Sequence, residues 1–209
     1  MSSLNKVHWY DGLFYDKIIA PNQDKLFRQI KKLIEPNSKI IDVGCGTGRF
    51  SFSISGECNS VLGIDLSKRN IERASSLLSN MPNDKISFQH NSVSNLLRNG
   101  KEHFDYAIVT YVIHEVDESE RINLLKDMVQ IADRIIIGDY LFPKPLNLGS
   151  ALNEVVEFAA GKEHYKNYKS YLANKGIIGL ANSAQLKIIK EIKDTSRTSH
   201  VVVLEKEQQ

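Results

Sequence analysis

Short apolar runs of strand length alternate, over the first two thirds of the chain, with longer segments whose apolar residues recur at helical spacing. The runs at 39–43, 60–64, 85–89, 106–110 and 134–138 are rich in β-branched residues. Between them lie stretches such as 67–80 and 118–132. In the second, Ile122, Leu125, Met128 and Val129 predict one buried face. This alternation predicts βαβ units, hence a parallel sheet with helices on both faces. Ile135-Ile136-Ile137 is apolar on both sides, as a buried parallel strand requires.

The two ends depart from this pattern. Residues 24–35 predict an amphipathic helix carrying Leu26, Phe27, Ile30, Leu33 and Ile34, with Pro36 as its stop. The aromatics ahead of it, Trp9, Tyr10, Phe14 and Tyr15, either pack under that helix or make residues 1–36 a lid over a bound ligand. Pro143-Lys144-Pro145 ends the alternation. Residues 149–174 then read as two helices parted near Gly161, and 177–183 as a short helical piece. The β-like runs 186–192 and 200–204, joined by the polar stretch 194–199, predict an antiparallel hairpin. The whole predicts one doubly wound α/β domain. Its seven-stranded sheet is mostly parallel and closes with the hairpin; residues 143–176 form a helical insertion placed to cap a substrate.

Composition narrows the function classes. With 209 residues the chain buries roughly 70% of its unfolded surface and needs no disulfide or metal to fold. A net charge of +2, from 27 basic and 25 acidic residues, disfavours a strongly electropositive nucleic-acid clamp. Cys45 and Cys58 have no metal-type spacing, so no metal site is expected, and two thiols make no disulfide framework. No apolar run approaches the length of a membrane span, and the first residues lack a signal-peptide core. A cytoplasmic setting with no membrane partner is the expectation.

The chemistry is concentrated where the first strand runs into Asp42-Val43-Gly44-Cys45-Gly46-Thr47-Gly48 and then a helix. Glycines let a ligand approach the backbone, and the helix start offers free N–H groups. A dinucleotide fingerprint would need a third glycine at position 49, which is Arg49. A phosphate-binding P-loop would need Gly-Lys-Ser/Thr, which is absent. The second strand ends at Asp65, about twenty residues after the first glycine, where a carboxylate can bind both ribose hydroxyls. Its other reading is a helix cap, for which the Ser67 hydroxyl is the better candidate.

At these residues the chain resembles the class I S-adenosylmethionine-dependent methyltransferases, over roughly residues 22–205. The resemblance implies a Rossmann-like methyltransferase fold, S-adenosylmethionine as cofactor and S-adenosylhomocysteine as product. It places Asp42, Gly44, Cys45, Gly46 and Gly48 around the amino-acid and ribose portion, and Asp65 on the ribose. It also puts Leu66 against the adenine and Thr110 beside the methionine part. The family commonly has an acid at the end of the third strand for the adenine amine. This chain has Asn91-Ser92 instead, so Asn91, Ser92 or the Val93 N–H takes that role.

The acceptor side is read from three segments. The loop after the fourth strand carries Tyr111, His114 and Glu115 and lacks the Asp/Asn-Pro-Pro-aromatic motif of nucleobase-directed members. That favours a small-molecule acceptor over RNA or protein. His114 is the general-base candidate, its ordinary pKa near 6.5 suiting proton uptake at neutral pH; its other reading is a structural histidine. Tyr140 ends the fifth strand beside the cleft. In the insertion His164, Tyr168 and Tyr171 share a helical face with Tyr165 beside it; they line an acceptor pocket or pack on the sheet. Lys162, Lys166 and Lys169 form a basic stripe that suits solvent or an acidic substrate. Tyr15, Tyr111, His114, Tyr140, His164, Tyr165 and Tyr168 are thus the candidate substrate residues. An NAD-dependent oxidoreductase and a non-catalytic cofactor-binding partner subunit stand as rivals.

Overall fold

The structure is a computed structural model that describes residues 20–100, 102–193 and 198–207. The lead-in aromatics, Tyr15 among them, and most of the 194–199 turn lie outside the described residues. Seven strands form one sheet: β1 (Lys39–Val43), β2 (Ser60–Asp65), β3 (Ile86–His90), β4 (Phe104–Thr110), β5 (Ala132–Tyr140), β6 (Leu186–Ile192) and β7 (Ser199–Lys206), in the order β3-β2-β1-β4-β5-β7-β6. The pairings from β3 through β5 are parallel; β7 runs antiparallel between β5 and β6. This is the predicted doubly wound sheet with a C-terminal hairpin. Strand order reverses between β1 and β4, and at such a switch the carboxyl ends open into a crevice.

The two faces of the sheet follow from strand periodicity. Ile41, Val43, Ile135 and Ile137 join one core, where α5 (Glu118–Ile131) and α8 (Gly176–Ser183) pack. Ile40, Ile108 and Ile136 join the other, with Leu26, Phe27 and Ile30 of α1 (Ala20–Lys31) and Phe50 and Ile54 of α2 (Arg49–Ile54). Neighbouring isoleucines in β1 and β5 are therefore fully buried on opposite sides.

Two predicted helices need correction. The first spans Ala20–Lys31 rather than 24–35. Pro21 falls in its first turn, where a missing N–H costs nothing. Beyond Lys31 the chain leaves the helix through turns, so Pro36 is not its terminator. In α5 the buried face is Arg121, Leu125, Met128 and Ile131, with Ile122 and Val129 only at its margin. An arginine is the residue that periodicity alone assigns to solvent; here hydrogen bonds keep it inside.

Four further helices complete the fold around the site: α3 (Lys68–Asn80), α4 (Val93–Asn99) and, in the insertion, α6 (Leu148–Ala159) and α7 (Lys162–Ala173), which break at Gly161 as expected. Ser67 caps α3, its hydroxyl accepting from the Asn70 N–H, and Ser92 caps α4 in the same way toward Asn95. Among the described residues no helix is long and apolar enough to cross a membrane.

Candidate active site at the carboxyl ends of the parallel strands

The glycine turn is bound to the strand beside it. The N–H groups of Gly44 and Cys45 both donate to the Ile64 carbonyl, at 2.8 and 3.0 Å. Gly44 has φ +71°, and a Cβ there would lie 2.7 Å from a Val112 methyl. Only glycine fits that position without strain or overlap. Gly46 has φ +57°, and a Cβ on it would meet nothing within 4 Å, since its Cα faces the open cleft. Gly48 caps α2 and lies off the cleft lining.

Asp65 joins the turn to the cleft. One carboxylate oxygen accepts the Gly46 N–H at 2.9 Å and the other the Ser67 N–H at 2.7 Å. Each oxygen keeps a lone pair for a further donor, and Asp65 lines the cleft. Asp42 is placed differently. It is buried beneath the turn and accepts a 2.6 Å hydrogen bond from the Ser51 hydroxyl of α2, so it ties the strand end to the helix. Burial pushes its carboxyl up to about 7; the Ser51 bond works against that, and nearby Asp65 adds to it.

The sign of that shift makes a pH prediction. The native state holds the Asp42 proton more tightly than the unfolded chain does. The cost of ionising Asp42 is therefore absent below the unfolded pKa of about 4 and complete above about 7. Denaturant midpoints across pH 5–8 should show wild type gaining on Asp42→Asn as pH falls. Parallel curves would contradict the burial argument.

Cys45 and Thr110 also line the cleft, with Asn70 and Arg73 of α3 beside Asp65. Burial, then the nearby carboxylates of Asp42 and Asp65, push the Cys45 thiol far up, so it is no nucleophile. The remaining cofactor candidates sit apart. Leu66 is exposed, and its carbonyl meets His90 Nε2 at 3.0 Å. The Asn91 side chain accepts the Ser92 N–H, the Ser92 hydroxyl caps α4, and Val93 is buried. None of these four lines the cleft.

The cleft, about 450 Å³, continues past Thr110 to a second group of residues. Tyr111, at φ +53°, donates its hydroxyl to Ser199 of β7 at 2.8 Å. His114 is buried; its Nδ1–H donates to Asp139 of β5 at 2.7 Å, and the Asp139 carboxylate also accepts the His114 backbone N–H. The other ring nitrogen, Nε2, has no hydrogen-bond partner, though Glu157 Oε1 lies 3.5 Å away. Glu157, from α6, accepts the Tyr140 hydroxyl at 2.7 Å and His164 Nε2–H at 2.5 Å.

Electrostatics follow from burial of so many charges together. Desolvation acts to lower the His114 pKa, but Asp139 and Glu157 on its two sides outweigh it and hold it well above 6.5. The expectation of a free imidazole at its ordinary pKa is corrected accordingly. Glu157 stays ionised against its own burial because His114 and His164 hold it below the carboxylate range. Tyr140, buried beside Glu157, is pushed well up and stays neutral.

Tyr111, His114, Tyr140 and His164 thus share the cleft lining, while Tyr168 is buried behind them, its ring 5.3 Å from Tyr140. Tyr165 turns away and donates to Glu154. Of the basic stripe on α7, Lys169 pairs with Glu154. Sequence reasoning missed Glu157 and the part of Asp139. Neither has a local signal, because each meets His114 only through the fold. It missed Arg121 too, whose guanidinium reaches the carbonyls of Val116, His114 and Asn167 and the Ser170 hydroxyl, tying α7 to α5.

Comparison with known proteins agrees with this arrangement. Residues 40–133 match a family model described as a methyltransferase domain. No curated protein matches the chain. Among solved structures it is similar to the magnesium protoporphyrin IX methyltransferase of Synechocystis PCC 6803 with bound S-adenosylhomocysteine. The two share 16% identity over 95% of this chain and 91% of that one, with a TM-score of 0.68. It is also similar to the N-methyltransferase NodS of Bradyrhizobium japonicum WM9, at 15% identity over 93% and 99% of the two chains and a TM-score of 0.62. At these identities the likeness is one of fold. The matched domain, the glycine turn within it and the sheet that carries both make residues 40–133 a methyltransferase domain on a Rossmann-like methyltransferase fold.

Proposed function

We propose that this enzyme methylates a small-molecule acceptor, with the cofactor at the glycine turn and the acceptor at the His114 end of the same cleft. The observation that carries the reading is the continuity of one cavity of about 450 Å³ from Gly44, Gly46 and Asp65 to Tyr111, His114, Tyr140 and His164. Its volume suits a cofactor and a compact acceptor. The residues fit the cofactor: Gly46 leaves backbone open to the cleft, and Asp65 keeps free acceptor positions beside it.

Bound S-adenosylmethionine supplies a methyl group already activated on its sulfonium. The chain's part is then to hold the acceptor atom in line, which can account for much of the rate. In this reading Asp42 orders the turn through Ser51 and α2, and Gly48 starts that helix. Leu66, Asn91, Ser92 and Val93, which lie off the cleft lining, would meet the adenine only where it extends past Asp65, and Thr110 faces the methionine part. Residues 143–176 cap the acceptor, with Tyr168 and Tyr165 supporting the cap from behind. His114 is the proton-handling candidate, oriented by Asp139 and facing the cleft beside Glu157.

One relative by fold is described as a magnesium protoporphyrin IX methyltransferase, which supports the same acceptor class. The test is transfer of labelled methyl from S-adenosylmethionine to a panel of phenols, amines and carboxylic acids, with bulk RNA and bulk protein in parallel. Label in the small-molecule panel is expected. Label confined to RNA or protein would overturn the proposal.

A further inference from the structure

The acceptor end of the cleft holds more ligating atoms than methyl transfer requires. His114, Glu115 and His164 each place a ligand atom within 4.8 Å of the others. Glu157 adds a carboxylate whose two oxygens lie 3.5 Å from His114 Nε2 and 2.5 Å from His164 Nε2. Glu115 Oε1 lies 3.9 Å from Nε2 of both histidines. Two donors bound at about 2.1 Å to one tetrahedral ion are about 3.4 Å apart. The cluster is thus near the size of a coordination shell. Only the His164–Glu157 contact has to open, by about 1 Å.

A second observation points to a ligand. His114 is 2% exposed, yet its Nε2 has no hydrogen-bond partner. That atom faces Glu157 and Glu115 at the cleft. Its other nitrogen is held by Asp139, which fixes the ring with Nε2 aimed at the cluster, where an ion would take the place of the Nε2 proton. A carboxylate behind a ligating histidine is the usual support of a protein metal site. Tyr140 orients Glu157 in the same manner, through its hydroxyl.

We propose that His114, His164, Glu157 and Glu115 bind a divalent first-row transition ion at the acceptor end of the cleft. Two imidazoles with carboxylates suit zinc, iron, cobalt or nickel better than calcium or magnesium, which prefer all-oxygen shells. All four residues line the cavity, so the coordination sphere opens toward the space assigned to the acceptor. An oxygen or nitrogen atom of the acceptor would complete it. His114 then acts as a ligand, and Asp139 as a positioning residue. The ion site stands on donor geometry alone; its use toward the acceptor rests on the methyl-transfer reading.

The test uses the full chain, stripped with a chelator and titrated separately with Zn²⁺ by calorimetry and Co²⁺ by visible absorption. One ion per chain is expected, with cobalt bands of a low-coordinate nitrogen and oxygen site. His164→Gln and Glu115→Gln, both at partly exposed positions, should each weaken zinc at least about tenfold, and Asp139→Asn roughly ten- to a hundredfold. Circular dichroism checks that each variant folds. A cobalt spectrum like that of the aqueous ion would overturn the proposal, as would zinc affinity unchanged in both glutamine variants. S-adenosylhomocysteine titrated in parallel separates the two readings: binding without metal uptake removes the ion and leaves the methyltransferase assignment intact.

Discussion

Arg121→Met is expected to lower the melting temperature by roughly 10 °C. The guanidinium is fully buried, and it donates to the carbonyls of Val116, His114 and Asn167 and to the Ser170 hydroxyl, at 2.6 to 3.3 Å. Methionine fills much of the volume but leaves those acceptors without their donor. Each buried carbonyl left without its donor costs about 1–3 kcal/mol, so the three together cost roughly 3–5 kcal/mol, and each kcal/mol moves a domain of this size by about 2–4 °C. The loss also has a direction in space. Arg121 joins α5 and the His114 loop to α7, so KM for the acceptor should rise more than cofactor affinity falls. A melting temperature within about 2 °C of wild type would show that α7 is held by other contacts.

Gly44→Ala is expected to cut S-adenosylhomocysteine affinity by roughly thirtyfold or more. Two costs combine at one residue. A φ of +71° costs a non-glycine residue about 1–2 kcal/mol. The new Cβ would sit 2.7 and 2.9 Å from the two Val112 methyls, and overpacking of that kind costs about 1–3 kcal/mol. Opening the turn relieves both, but a cofactor that needs the turn closed restores them on binding. The sum corresponds to at least about thirtyfold in affinity. Gly56→Ala is the control, because a Cβ there meets nothing within 4 Å and its backbone is outside the left-handed region. Affinity within threefold of wild type in Gly44→Ala would mean that the turn does not shape the cofactor site.

The fold was legible wherever burial leaves a periodic trace. Ile135-Ile136-Ile137 announces a strand covered on both faces, and the structure buries alternate members in opposite cores. The break at Gly161 and the terminal hairpin were readable from local turn chemistry and apolar runs. Local polarity misled at Arg121, because a charged residue in a helix reads as exposed until its distant acceptors are known. Residues 24–35 misled for a related reason: Leu33 and Ile34 pack on the core from turns, so their apolar character extended the helix past its end.

The cofactor side of the site was more legible than the acceptor side. Gly44, Cys45, Gly46 and Asp65 lie in two contiguous motifs, and the parallel pairing of β1 with β2 brings those motifs together. The acceptor end is assembled from β4, β5, α6 and α7. His114 meets Asp139 across 25 residues of chain, and His164 meets Glu157 only because α6 and α7 fold back on each other. No spacing in the sequence encodes those meetings. They depend on where the insertion comes to rest on the sheet.

The central assignment is that Gly44, Gly46 and Asp65 form an S-adenosylmethionine site and not a dinucleotide site. Calorimetric titration of the purified chain with S-adenosylhomocysteine, and in parallel with NAD⁺, tests it most directly. The account predicts micromolar binding of S-adenosylhomocysteine, silence from NAD⁺, and a loss of roughly ten- to a hundredfold in Asp65→Ala, the value of about 1.5–3 kcal/mol for hydrogen bonds to a charged group. Binding of NAD⁺ with silence from S-adenosylhomocysteine, or an Asp65→Ala affinity equal to wild type, would contradict it.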